Sequence, residues 1–145
     1  MKKKGFTLIE LLVVIAIIGL LSTLAVVALN SARQKARDAK RVADIKQVQT
    51  ALELYFNDEQ NYPAGLGTLG LATFGCLGTG TAGWYSAGCA NGYMGLVPTN
   101  PSPNGASYVY SSDGSSGTYQ ISFSLEGTTG GLGSGAHTAT QNGLQ

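Results

Sequence analysis

Apolar residues run almost unbroken from Phe6 to Leu29, with Glu10 the one charge among them. As a helix, that run spans roughly 36 Å, enough to cross the ~30 Å hydrocarbon core of a bilayer. Polarity changes at Asn30, but the helical period continues. Ala28, Ala32, Ala36, Ala39, Val42, Ile45, Val48, Leu52 and Tyr55 recur at spacings of three and four and draw an amphipathic stripe. No proline precedes Pro63, and the polar stretch from Asn57 to Pro63 closes the pattern. One helix from Phe6 to about Asn57 is predicted, half in lipid and half using its stripe to carry a head.

Between residues 64 and 96 ten of the thirty-three positions are glycine. Neither the strand nor the helix period holds there, so the segment reads as a long surface loop with short elements. Beyond it, Tyr108-Val109-Tyr110 and the alternating Tyr119, Ile121, Phe123 and Leu125 flank a Ser-Asp-Gly turn region and predict a hairpin. Gly92 to Val97 is a candidate third strand. An apolar sheet face laid over the helix stripe gives an α+β head, with a long N-terminal helix packed on a small antiparallel sheet. From Gly127 the chain is rich in Gly, Ser and Thr and lacks aromatics, which predicts a flexible tail over 127–145.

Charge sharpens this picture. The 145 residues suit one domain, and only 12% of them are charged, against ~25% in a typical soluble domain. Every Lys and Arg lies at or before Lys46, so residues 1–46 carry a net +6 and residues 47–145 a net −5. That segregation argues against an evenly charged cytosolic enzyme. Residues 47–145, which hold no Lys or Arg, are also a poor ligand for nucleic acid, because neither is there to neutralise phosphate. The basic cluster from Arg33 to Lys46 reads as a solvated helix face, a contact for anionic headgroups, or a face for acids such as Glu53, Asp58 and Glu59 on neighbouring copies.

Glu10 needs a reason. A carboxylate in hydrocarbon costs roughly 2.5–3.5 kcal/mol at mid-helix even on lenient insertion scales. An ordinary secretory signal has no use for it, and the apolar run is longer than a usual signal core. Two readings stay open: a snorkelling carboxylate near the interface, or one that meets a cation inside the membrane or a filament. Residues 2–21, Lys-Lys-Lys-Gly-Phe-Thr-Leu-Ile-Glu-Leu-Leu-Val-Val-Ile-Ala-Ile-Ile-Gly-Leu-Leu, resemble the leader of type IV pilins and pseudopilins. The resemblance implies cleavage between Gly5 and Phe6, methylation of the new Phe6 amine, and pairing of Glu10 with the terminal amine of a neighbouring subunit. It also implies a cytoplasmic N-terminus, although the basic residues after Asn30 outnumber Lys2, Lys3 and Lys4. The resulting divisions are a leader at 1–5, a membrane and assembly segment at 6–29, an amphipathic helix with its globular head at 30–126, and the tail.

Asn61-Tyr62-Pro63, Asn100-Pro101, Gly105, Tyr108-Val109-Tyr110, Tyr119 and Phe123-Ser124-Leu125 further resemble the major pseudopilins of type II secretion. That family binds calcium in a C-terminal loop with aspartates. The corresponding stretch here, Glu126-Gly-Thr-Thr-Gly-Gly, offers one carboxylate to an ion that takes six to eight oxygens, a poor site. Outside the cytoplasmic membrane Cys76 and Cys89 are expected to form a disulfide, with a free buried thiol pair as the alternative. Many type IV pilins staple a C-terminal loop instead, and no cysteine follows Cys89.

Two literal G-x-G-x-x-G matches, at Gly65–Gly70 and Gly78–Gly83, follow no buried strand and open no helix, so they reflect composition and not nucleotide binding. His137 is the lone histidine and falls in the expected tail, and Cys76 and Cys89 are too far apart for a C-x-x-C redox motif. No catalytic residue, cofactor or metal is assigned. The resemblance implies first a structural subunit of a type IV pilus-like filament, and second the major pseudopilin of a type II secretion system. A membrane-anchored exported enzyme is the different-class alternative. The implied partners are copies of the chain joined through their N-terminal helices, a prepilin peptidase and methyltransferase, the inner-membrane assembly machinery, and lipid before assembly. The implied location is a single-pass membrane precursor that passes to an extracellular pilus or a periplasmic pseudopilus.

Overall fold

The computed structural model describes residues 5–145. Helix α1 (Leu8–Glu59) is one 52-residue element, starting and ending within two residues of the predicted bounds. Gln60, at φ 60°, turns the chain into the left-handed region. Its N–H then returns to the Phe56 carbonyl at 2.8 Å, satisfying an end group of the last turn. The chain divides into two compact units, Met1–Gln34 and Lys35–Gln145. In the first, the described side chains from Phe6 to Leu29 are all exposed, and the helix there is long and apolar enough to cross a membrane.

The second unit is α+β. After α1 come β1 (Gly65–Thr68), the 3₁₀ turn η1 (Ala72–Phe74), β2 (Cys76–Leu77), β3 (Trp84–Tyr85), β4 (Val109–Ser112), β5 (Gln120–Leu125), β6 (Gly135–Thr140) and β7 (Gly143–Leu144). The main sheet runs in the order β1-β4-β5-β6-β7, antiparallel throughout, and β2 pairs with β3 separately. The predicted hairpin is present: Tyr110 faces Ile121, and the period-two side of β5 buries Ile121, Phe123 and Leu125. With Tyr108, Tyr110 and Tyr119 these side chains share one core with Ile45, Val48, Leu52 and Tyr55 of α1.

Three expectations need correction. The tail is not a tail: Gly135 to Ala139 pair residue by residue with Leu125 to Ile121, and Ala139 is fully buried. The ladder's backbone bonds hold β6, so it needs no large apolar residues. His137 accordingly lies in a strand, its ring 5.6 Å from that of Phe123. Second, the glycine-rich segment is not merely surface loop, since it sends Leu69, Phe74, Leu77 and Trp84 into the core. Its glycines serve that packing: a Cβ on Gly67 would run into the Phe74 ring. Third, Gly92 to Val97 forms no strand and touches β2 through one Leu77–Met94 bridge.

Cys76 and Cys89 are joined Sγ to Sγ, and both are buried. Closing a loop of about this length contributes on the order of 3 kcal/mol by constraining the unfolded chain. The Cys76→Ala/Cys89→Ala variant should therefore melt well below the oxidised wild type, and reduction of the wild type should reproduce the drop. Equal melting midpoints for the variant and the oxidised protein would count against the bond.

Candidate functional site: the helix start and an ionic clasp in the head

Met1 to Lys4 of the predicted leader lie outside the described residues. Gly5 and Phe6 precede the helix and are exposed, Phe6 at 84%. Thr7 is the cap. Its Oγ1 accepts from the Glu10 N–H at 3.3 Å, while the Glu10 carboxylate accepts from the Thr7 N–H at 2.8 Å and from Thr7 Oγ1 at 2.7 Å. This is a reciprocal capping box, in which two end donors are satisfied at once. The signal for it, Thr-x-x-Glu ahead of an apolar run, stands in the sequence, and a reading that weighs Glu10 only as a membrane charge misses it. Glu10 thus has a partner within its own chain, and its carboxylate is held at the end of the helix where free N–H groups favour an anion.

In the head, charged residues occupy the inner face of α1. Asp38 and Arg41 are 1% and 0% exposed, two turns and one turn before the buried Ile45. The apolar stripe places Ala36 and Ala39 on that face, yet both are exposed. Arg37 and Arg41, read from sequence as part of a solvated basic face, turn toward the sheet instead. The reason is a set of partners that the helix alone does not reveal. Arg37 grips Glu126 with both arms, Nε to Oε1 at 2.7 Å and Nη2 to Oε2 at 2.6 Å. Arg41 Nη1 reaches Asp38 at 2.6 Å and Glu126 at 2.7 Å, and its Nε reaches Asn100 Oδ1 at 2.7 Å. Asp38 closes the ring by accepting the backbone N–H groups of Glu126 at 3.0 Å and Gly127 at 2.8 Å.

Hydrogen bonding from Arg37 leads in holding the Glu126 carboxyl far below the ordinary carboxylate range. Nearby Asp44 shows the opposite effect, since burial raises it while the Tyr108 hydroxyl donates to it at 3.3 Å. The acids at the far end of α1 also have partners: Glu53 accepts from Tyr62 OH, Asp58 from Tyr93 OH and Glu59 from the Gly80 N–H. This chemistry is structural. It pins loops to a helix, and no cluster of three or more His, Cys, Asp or Glu suited to a metal occurs among the described residues.

Two family models match. The prokaryotic N-terminal methylation motif covers residues 1–26, and type II secretion system protein G covers residues 28–141. The type II secretion system core protein G of Vibrio cholerae is 34% identical over 143 residues, covering 97% of this chain and 93% of that one. Its counterpart in Escherichia coli K12 is 35% identical over 121 residues, 83% of this chain and 79% of that protein. The Pseudomonas aeruginosa protein is 31% identical over 134 residues, 90% and 89% of the two chains. No solved structure matches the chain at a significant level. These relatives carry a secretion name, so the pilus reading, with its extracellular location, yields to the pseudopilin reading placed second on sequence grounds. The chain, which opens on a methylation motif and continues into a protein G head, belongs to the type II secretion system protein G family.

Proposed function

We propose that this chain is the major pseudopilin of a type II secretion system, a structural subunit stored in the membrane and polymerised into a periplasmic pseudopilus. The similarity to the Vibrio cholerae core protein over 97% of the chain carries this reading, because it spans the anchor and the head together. Cleavage between Gly5 and Phe6 leaves the apolar run attached to the mature protein and exposes an amine next to the Thr7 cap. Methylation of that amine keeps its positive charge. In the filament, apolar flanks of neighbouring helices replace lipid, and the Glu10 carboxylate meets the Phe6 amine of another copy. The heads stay outside the membrane, where an oxidising compartment suits the Cys76–Cys89 bond.

The reading is tested by deleting the gene in the cell that carries it and complementing with the wild type. Export of folded proteins to the medium is expected to stop and to return on complementation. The intact mass of the membrane-extracted protein is expected to begin at Phe6 with one added methyl group. Unchanged export together with loss of surface pili would overturn the secretion reading. A mature mass that retained Met1–Gly5 would overturn the processing.

A further inference from the structure

The resemblance drawn from the sequence implies calcium at the loop that begins with Glu126, so the donor set there decides whether calcium fits. Glu126 Oε1 accepts from Arg37 Nε and Arg41 Nη1, each at 2.7 Å, and Oε2 accepts from Arg37 Nη2 at 2.6 Å and Asn104 Nδ2 at 3.0 Å. Asp38 Oδ1 takes Arg41 Nη1 and the Glu126 N–H, and Oδ2 takes the Gly127 N–H. Both carboxylates therefore point at donors. Calcium needs six to eight oxygens turned toward one point, with none of them already claimed by a cation. Calcium does not fit this loop.

The centre of the oxygen shell holds something else. The Arg41 guanidinium donates to Asp38 Oδ1, Glu126 Oε1, Asn100 Oδ1, and the carbonyls of Pro101 and Asn104. These five oxygens come from the helix, from the loop before β4, and from the chain leaving β5. Two guanidinium charges on Arg37 and Arg41 face two carboxylate charges on Asp38 and Glu126, so the cluster is neutral. Gly105 makes the fit possible: it sits at φ +96°, and a Cβ there would lie 2.8 Å from Arg41 Nη2. We infer that the Arg41 guanidinium, braced by Arg37, fills the post of a structural cation, so that residues 100–105 and the chain after Leu125 fold onto the helix without a divalent ion. A cation carried on the chain cannot be removed by a chelator, and a guanidinium does not lose its proton in a protein. The inference concerns the head alone and stands or falls separately from the secretion reading.

The test uses the full-length chain in detergent, with thermal unfolding followed through Trp84, the lone tryptophan and a core residue. Midpoints in EGTA and in millimolar calcium chloride are expected to coincide. A site filled to about a hundred times its dissociation constant would raise the midpoint by on the order of 10 °C, and a rise of that size would overturn the inference. Arg41→Lys keeps the charge but lacks the planar fork that serves five acceptors at once. Its midpoint is expected to fall by on the order of 10 °C in both buffers, and an unchanged midpoint would overturn the role given to Arg41. Should Arg41→Lys prove too unstable to purify, Arg37→Gln leaves the shell filled. It is expected to fold at a lower midpoint that calcium does not move, and an Arg37→Gln chain that needs calcium to fold sinks the idea.

Discussion

Glu10→Gln should be inserted and cleaved normally yet fail to join filaments. The amide introduced by this change can still close the capping box with Thr7, so the start of α1 keeps its end donors satisfied. What it lacks is charge. If the carboxylate meets a neighbour's amine in a low-dielectric filament, its loss leaves that amine buried alone, at a cost of roughly 3–5 kcal/mol for each subunit added. That corresponds to a loss of at least about a hundredfold in subunit affinity. Glu10→Val removes the charge and the side chain's half of the capping box, keeping only the bond from the residue-10 N–H to Thr7 Oγ1. The helix becomes more apolar, and membrane content should be unchanged or raised. The two variants separate the roles. Loss of filaments in both, with normal Phe6 mature ends, supports pairing. Normal filament yield from Glu10→Gln with loss in Glu10→Val would show that the residue-10 side chain's bonds to Thr7, and not the charge, are what assembly uses. The measurement is sheared or crosslinked filament against total membrane-bound subunit, by immunoblot.

The second large effect is expected in the head. Asp38→Ala strips three acceptor contacts from a site 1% exposed and leaves Arg41 and the Glu126 and Gly127 N–H groups short of a partner. Breaking a buried pair from one side costs roughly 3–5 kcal/mol, a fifth or more of the stability of an ordinary domain. Denaturant unfolding of the full-length chain should show a lower midpoint with an unchanged slope. A loss under about 1 kcal/mol, the usual worth of an exposed pair, would show that the clasp is held elsewhere. The same clasp sets an acid limit. Because the folded Glu126 carboxyl is depressed, its contribution is complete above the unfolded value of about 4.3 and is lost as the pH falls through the folded one. Arg37, Arg41, Asp38 and Asn104 are the charged and polar side chains that face Glu126.

The long helix was legible because about fifty residues without proline carried one period, and the β4–β5 hairpin because its large side chains alternate. Strand β6 was not. Gly135-Ala136-His137-Thr138-Ala139-Thr140 has almost no apolar signal, and its place depends on β5 beside it. Asp38 and Arg41 were hidden by a different assumption, that charges on an amphipathic helix face water. Positions 38, 41, 45, 48, 52 and 55 continue the three-and-four spacing without a break, so the buried face was readable once charges were allowed on it. Charge segregation held the complementary clue. With every Lys and Arg at or before Lys46, an ion pair made by Glu126 has to return to the first 46 residues.

Segregation of the cations also decides how this protein meets a protease. Trypsin cuts after Lys and Arg, so the last site among these 145 residues follows Lys46 and the 99 residues after it offer none. In the folded head Arg41 is sealed and Arg37 is clamped, which shields two of the preceding sites. Identification from a tryptic digest would thus rest on the helix, which yields one apolar peptide of 29 residues ending at Arg33 and then pieces of five residues or fewer. The sheet, the disulfide and the glycine-rich segment would travel together as one long, cation-poor piece. Cleavage at glutamate would open the same region after Glu53, Glu59 and Glu126.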